Sequence, residues 1–567
     1  MSTEIREVPK RETVQVYLPD GRILEGPTGS QVQVFLSATE TAIPIVGAVI
    51  NGELRELTYP IEIDARIRPI TMGEPDGMRI YRRSLTFLLA AAFEPLFPEA
   101  ELTVDHSVSS GGYYCEISGR DPLTAADLAS IEARMREWVE ADIPFAKTHI
   151  PLKDAIEHFQ RLGFDDKARL LAHRRKPHLV LYDLASHRDY HHGYMVPSSG
   201  YLKWFGLVMT DGGFTLRFPR RHNPTQLLPM PDYPKLLATF REYGDWLDAL
   251  GISSIGALND AIVHGRSREV VLVSEALHEG RISEIAAMIA KRSEASRIVL
   301  VAGPSSSGKT TFSKRLSIQL MVRGLSPFPL ELDKFFVDRE HTPRDETGEY
   351  DYESLAAIDL DRLNHDLQAL IRGDEVHLPK YNFLTGKSDV GDRVKLKSDQ
   401  IIVVEGIHGL NPDLLAEIPE ASTFRVYVSA LTQLNLDRLN RVSTTDTRLI
   451  RRIVRDATQR GYSAAETIRR WESVRRGEKR YIFPYQENAD VMFNSALMYE
   501  GSALAALAEP LIRQVPHGSE EHIEAKRLLA FLEWFLPLNI ELIPDNSILR
   551  EFLGGSNLKD FHPWQAP

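Results

Sequence analysis

Residues 297–311 read RIVLVAGPSSSGKTT. An apolar run rich in β-branched residues predicts a buried strand, and the Gly-Ser stretch after it predicts a loop. A helical pattern then runs from Thr310 through Phe312, Leu316, Leu320 and Met321 to a stop at Gly324. Strand, G-x-x-x-x-G-K-T and helix in this order form the context a phosphate-binding P-loop requires. Gly303, Pro304, Ser305, Ser306, Ser307 and Gly308 form the loop, whose backbone N–H groups converge on phosphate oxygens. Lys309 reaches the β/γ phosphates, Thr310 presents a hydroxyl to Mg²⁺, and Thr311 opens the helix whose N-terminus favours an anion. The stretch predicts binding of a nucleoside triphosphate with Mg²⁺.

Two further acids strengthen this reading. PFPLELD, residues 327–333, predicts a second strand delivering Asp333, and IIVVEG, residues 401–406, a third ending on Glu405. In doubly wound sheets, residues at the carboxyl ends of strands line the site. Asp333 is placed to accept the proton of an attacking hydroxyl, and Glu405 holds the second acidic position beside Mg²⁺. Residues 423–429 predict a strand with alternating side chains. The Arg-rich run after it sets Arg448, Arg452 and Arg455 on one helix face and Leu449, Ile453 and Ala457 on another. Beside a P-loop, that basic face predicts a lid whose guanidiniums clamp phosphate oxygens.

The front of the chain is different in kind. Pro19-Asp20-Gly21 and Asn51-Gly52 are hairpin turns between short strand patterns, which predicts a small β-rich module over about residues 13–68. Residues 125–140 predict a helix with Thr124 as N-cap and Leu128, Ile131, Met135 and Trp138 or Val139 as a core stripe. His187, His191 and His192, with His106 upstream, form the one histidine concentration. Gly193 and Pro197 make a loop the expected setting, with partly exposed or hydrogen-bonded histidines expected over a metal site.

Bulk properties exclude some classes. With 567 residues, 43% apolar and 26% charged, the chain has room for several globular domains. A single cysteine, Cys115, rules out an internal disulfide framework, and no apolar run approaches a bilayer span. The polar start lacks a signal peptide's apolar core, so a cytoplasmic protein with no membrane partner is expected. A net charge of −12 argues against nucleic acid as a partner held by the whole surface.

The motifs carry two resemblances. VQVYLPDGRILEGPTG and AVINGELRELTYPIEIDARIRPIT resemble the TGS domain at the front of threonyl-tRNA synthetases. YRRSLTFLLA followed by GYY is similar to the opening of the synthetase's second additional domain, which edits mischarged tRNA. Arg83 and Phe87 stand where that domain carries two histidines, and Ala185 where it carries a cysteine, so the editing or metal chemistry is not expected here. From about residue 297 to 494, GPSSSGKT, LELDKFF, YDYESLAAID, LPKYNF, VVEGI, TRLIRRIVRDATQRG and NADVMF together resemble the uridine kinase–phosphoribulokinase family.

The second resemblance implies Asp333 as catalytic base, Lys309 and Thr310 on phosphate and Mg²⁺, Glu405 as the second acid, and Arg452, Arg455 and Arg460 as lid arginines. It also implies Phe336, Glu353 and Tyr381 around the acceptor. Two departures stand out: Gly386 replaces a base-contacting histidine, and Phe336 a tyrosine.

The expected fold is α/β multidomain. A P-loop doubly wound parallel-sheet kinase domain is preceded by a small β-rich TGS (β-grasp) domain and an α+β synthetase-like domain. Expected boundaries are 1–69, 70–228, a helical linker 229–292, the kinase 293–500 and a helical extension 501–567. That extension either packs on the kinase or provides a homo-oligomer surface. The expected reaction moves the γ-phosphoryl of ATP onto a small-molecule hydroxyl acceptor, first the 5′-hydroxyl of uridine or cytidine. Another nucleoside, a sugar or a polyol is the alternative acceptor, and an RNA- or nucleotide-responsive ATP-binding regulator the alternative class.

Overall fold

The computed structural model describes residues 11–346, 348, 350–432 and 434–561. The polar start and the aromatic, Pro-containing end lie outside them. The chain divides into two units. The first comprises residues 1–231 with 435–441 and 516–526; the second comprises 232–434, 442–515 and 527–567.

The first unit begins with a five-stranded mixed sheet, in spatial order Ile23–Pro27, Thr13–Tyr17, Ala65–Thr71, Ile45–Ile50 and Glu53–Arg55. The predicted turns are present: Asn51 and Gly52 both take positive φ, 49° and 87°, as a two-residue hairpin turn demands. Val14, Val16, Val32, Phe35 and Ile67 close its core. A second core forms around the helix Pro75–Phe93, whose Tyr81, Leu85, Phe87 and Leu88 are fully buried. It packs with the sheet built from Glu101–Val108, Gly112–Ser118, Gly213–Arg217 and Gly206–Thr210. The helix Ala125–Glu140 starts at Thr124 with a capping box, and Leu128, Ile131, Met135 and Trp138 face inward as the spacing predicts.

The second unit is organised on a five-stranded parallel sheet. Its strands in chain order are β1 (Ile298–Ala302), β2 (Ser326–Glu331), β3 (Gln400–Glu405), β4 (Thr423–Ser429) and β5 (Val491–Asn494). Their spatial order is β2-β3-β1-β4-β5. Order and direction put the ends of β1, β2 and β3 side by side: Val301 pairs with Glu405, and Glu331 with Glu405 from the other side. β4 does not alternate as expected. Six of its seven residues are buried, because helices cover both faces of a parallel sheet.

Most of residues 229–292, expected as a helical linker, lies in this unit: from residue 232 on it supplies helices of the unit, including α1 (Ser267–Arg292). It lies on α2 (Lys309–Val322), where buried Arg315 pairs with Glu275 at 3.3 Å and with Glu279 at 2.7 Å. Phe312, Leu316 and Leu320 of α2 are buried as predicted. Met321, counted on the same face, is 39% exposed, since it lies one residue round the helix from Leu320. No helix among the described residues is long and apolar enough to cross a membrane.

Candidate active site

Local sequence explains the loop between β1 and α2. A Cβ at Gly303 would lie 1.9 Å from the carbonyl oxygen of Val428, so only glycine passes beneath β4 there. Ser306 and Gly308 take positive φ, 58° and 84°, which turns successive N–H groups toward one side. Gly308 caps α2 without a side chain, so the helix's first N–H groups are left for another partner. The hydroxyls of Ser306 and Ser307 are buried and lack a hydrogen-bond partner. Buried polar atoms without partners are rare in folded chains, and here they line the loop predicted to bind phosphate.

The carbonyl side of the same loop is pinned. Nε of Arg448 donates to Ser305 O at 2.8 Å, Nη1 of Arg451 to Ser306 O at 3.4 Å, and the Ser495 hydroxyl to Ser307 O. Both arginines lie on α3 (Thr444–Arg455) and are buried, Arg448 against Glu478 of α4 (Ala464–Tyr481) and Arg451 against Glu500 at 2.7 Å. Two of the loop's N–H groups are also held from within: Ser305 N–H donates to buried Glu478 at 3.1 Å and Ser307 N–H to Pro304 O at 3.3 Å. The arginine contacts correct the helix-face expectation: Arg448 is not a lid residue but part of the loop's foundation, because a buried arginine satisfies its donors on nearby carbonyls.

The arginines expected to form a lid gather elsewhere. Arg452, Arg455 and Arg460 surround buried Asp456 at 3.2, 3.1 and 3.6 Å, on a π-helical turn, Asp456–Arg460, that closes at Gly461. Arg452 also donates to the Ser305 hydroxyl at 2.9 Å.

The acids converge on Lys309. Thr310 Oγ1 donates to Glu405 Oε2 at 3.0 Å. Desolvation pushes the Glu405 carboxyl up to about 7, against the pull of Lys309, with Glu551 and Asp333 adding to the rise. Glu353 is likewise pushed up to about 7 by desolvation, with Arg452 and Lys309 opposing. Asp333, on the 3₁₀ turn Leu332–Phe335 after β2, is open to solvent but crowded. Desolvation raises its carboxyl, while Lys309 and Arg460 lower it. Lys309, whose Nζ donates to Pro304 O at 3.3 Å, lowers all three carboxyls from a distance, and a divalent cation beside them would favour their ionised forms.

Phe336 and Tyr381, expected around an acceptor, form part of an aromatic wall. The Phe336 ring meets Tyr381 at 5.5 Å, Tyr352 at 5.6 Å and Phe383 at 6.2 Å, all edge-on. Gly386 has φ 70°, and a Cβ there would lie 2.7 Å from Nε of Arg339. That guanidinium donates to the Tyr352 hydroxyl at 3.0 Å and to Phe383 O at 2.6 Å.

Sequence reasoning misses Arg451, Ser495, Glu478, Arg339 and Glu551. Arg451 alone has a local signal, as one more arginine in the run containing Arg448.

Residues 298–499 match the Phosphoribulokinase / Uridine kinase family. This segment is a P-loop kinase domain of that family. The N-terminal part of the chain is similar to threonine–tRNA ligases. That of Methylobacillus flagellatus is 34% identical over 203 residues, covering 35% of this chain and 32% of the ligase. That of Polaromonas sp. is 33% identical over 205 residues, with the same coverage of 35% and 32%. The chain therefore spans about a third of the length of the curated relatives it matches. Among solved structures, a possible uridine kinase from Bacillus stearothermophilus is 20% identical, covering 37% of this chain and 96% of its own, with TM-score 0.25. D-glycerate 3-kinase from Cryptococcus neoformans is 16% identical, covering 39% and 87%, with TM-score 0.23. The kinase domain thus joins a synthetase-like region in one chain.

In that region the histidines are built into a core. His187 Nδ1 lies 2.5 Å from Glu94, and both His187 and His191 pack on the Phe87 ring at 5.0 and 5.1 Å. Their Nε2 atoms have no hydrogen-bond partner. Burial, with Lys167 nearby, holds His191 well below the usual histidine range. Arg83 donates to Tyr194 O at 2.7 Å, and its guanidinium lies over Gly193. Among the described residues, the three-residue group with metal-ligand spacing is Glu53, His517 and His522, where Glu53 is already paired with Lys526 and Arg55.

Proposed function

We propose that this protein is an ATP-dependent phosphotransferase acting on a small hydroxyl acceptor, first the 5′-hydroxyl of uridine or cytidine. The observation that carries the reading is the placing of Glu405 at the end of β3 and Asp333 on the turn just past the neighbouring β2, with Lys309 at the start of α2 near enough to lower both carboxyls, beside the unpartnered hydroxyls of Ser306 and Ser307. In this reading Asp333 accepts the acceptor's hydroxyl proton on a carboxylate oxygen and so aligns the attacking oxygen. Lys309 and the P-loop N–H groups hold the phosphates. Arg452, Arg455 and Arg460, kept together by Asp456, neutralise charge that develops during transfer. The donor set of Thr310 and Glu405 fits Mg²⁺, which when bound supplies charge neutralisation at the phosphate oxygens. A cytoplasmic setting suits the single buried cysteine.

A second acceptor class has its own support. The guanidinium of Arg339 lies in the space beside Gly386, where the family resemblance implies a base-reading histidine. An acceptor carrying a carboxylate or several hydroxyls suits that donor better than a pyrimidine edge does. We assign no editing reaction to the synthetase-like region, given Arg83, Phe87 and Ala185 at the positions in question. The test is ATP consumption with Mg²⁺ across nucleosides, sugars, polyols and hydroxy acids, with Asp333→Asn as control. Turnover on any acceptor that survives Asp333→Asn at full rate would sink the mechanism.

A further inference from the structure

The family match ends at residue 499, yet a later segment reaches the P-loop. Ile548 lies over Gly308: a Cβ added there would be 2.4 Å from Ile548 Cγ2. Three residues on, Glu551 stands in the short helix α5 (Arg550–Leu553). Its Oε2 accepts from the Thr311 hydroxyl at 2.9 Å and from the Thr311 backbone N–H at 3.3 Å. The segment is anchored on several sides. Gln459 Nε2 donates to Glu551 O at 2.7 Å, and Lys314 Nζ donates to Leu558 O at 2.6 Å and Lys559 O at 2.9 Å. Phe552 is fully buried beneath the Arg451 guanidinium, 5.0 Å from its ring centre.

The placement has a chemical meaning. Thr311 is the third residue of α2, so its N–H is one of the donors that a helix's first turn leaves unpaired. In a P-loop those donors cradle nucleotide phosphates. A carboxylate oxygen and a phosphate oxygen seek the same N–H, carry the same sign of charge and cannot share the place. Glu551 also brings one more negative charge toward Glu405 in a site already rich in acids.

We propose that the segment around Glu551 is a built-in competitor of the nucleotide: docking of its carboxylate on Thr311 and occupancy of the P-loop by ATP exclude one another. The proposal rests on the reading of this loop as an ATP site. It makes the carboxy-terminal region an autoinhibitory element, and anything that draws residues 547–561 away raises the protein's affinity for ATP. By population arithmetic, apparent affinity falls by the fraction of molecules whose loop is free.

The test uses the full chain. ATP with Mg²⁺ is titrated by calorimetry into wild type, Glu551→Gln and Asp545→Asn, the last removing an exposed carboxylate from the same segment. Glu551→Gln keeps the side chain's shape and removes its charge. It should bind ATP about tenfold more tightly, while Asp545→Asn binds like wild type. Hydrogen exchange adds a second readout: ATP should reduce protection across residues 547–553 in wild type. Wild-type binding with equal or weaker binding by Glu551→Gln overturns the proposal and leaves the ATP reading intact, with Glu551 then a helix cap only. Unchanged protection on ATP binding overturns it equally. If neither wild type nor Glu551→Gln binds ATP, the ATP reading falls and the proposal with it.

Discussion

Each unit contains a cluster of charged groups, buried in the first and partly open to solvent in the second, and the two are settled differently. In the first, Lys167 is almost fully buried with Nζ 2.7 Å from both oxygens of Asp189 and 3.6 Å from Asp437. Asp437 in turn accepts from the N–H groups of Leu439 and Asn440, both at 2.9 Å. Burial works against the lysine's charge, yet the flanking aspartates overcome it and raise its pKa. In the second, Lys309 faces Asp333, Glu353 and Glu405, two of them pushed up to about 7, and two buried serine hydroxyls have no partner. The lysine and aspartates of the first cluster pair with one another and with nearby N–H groups. The second is left with demands that a phosphate and a cation would meet. Charge in a protein interior is a structural device when it closes on itself, and a candidate site when it does not.

This contrast can be broken by experiment. The largest effect is expected from Asp333→Asn, which should lower phosphotransfer by about 10²–10⁴-fold with little change in melting. A mutant that melts early instead would place Asp333 among the structural ions. Next comes Lys167→Met, which strands Asp189 and Asp437 in the core. Chemical denaturation should register a loss of about 3–5 kcal/mol. A loss below about 1 kcal/mol would mean that this cluster does not hold the fold.

Acidity separates the clusters more gently. Glu353 and Glu405 have folded pKa values raised above the ordinary carboxylate range. Their contribution to stability is therefore complete below the unfolded pKa and is lost as pH rises through about 7. Without nucleotide, melting measured from pH 5 to 8 should decline, by on the order of 1 kcal/mol per group, and Glu405→Gln should flatten the decline. A rise over that range would reverse the sign argued here. The smallest effect is expected from zinc. His187 is held by Glu94 and Asp189 by Lys167, so no zinc-dependent stabilisation should disappear in His191→Ala. One that did would turn the first cluster into a ligand site.

Short-range features are legible in the sequence. The capping box at Thr124 and the Asn51-Gly52 turn depend on residues a few positions apart, so a window of sequence contains the whole cause. Glu405 is legible because an apolar run that ends on an acid has few other readings near a P-loop. Met321 and β4 depart from expectation because periodicity counts apolar residues without knowing how many neighbours will cover them. Arg448 departs for a related reason. A basic residue on a helix looks solvent-facing until a particular carboxylate, Glu478, is brought against it.

The strand, loop and helix at residues 298–322 were decided by sequence, since β-branched residues, the special backbone angles and the helix start are local properties. Tertiary structure alone decided what surrounds that loop: Arg448 and Arg451 beneath its carbonyls, Arg339 in the space at Gly386, and Glu551 on Thr311. Thr311 and Glu551 are 240 residues apart. No spacing rule links residues at that separation; only the path of the folded chain brings a carboxylate to a particular N–H.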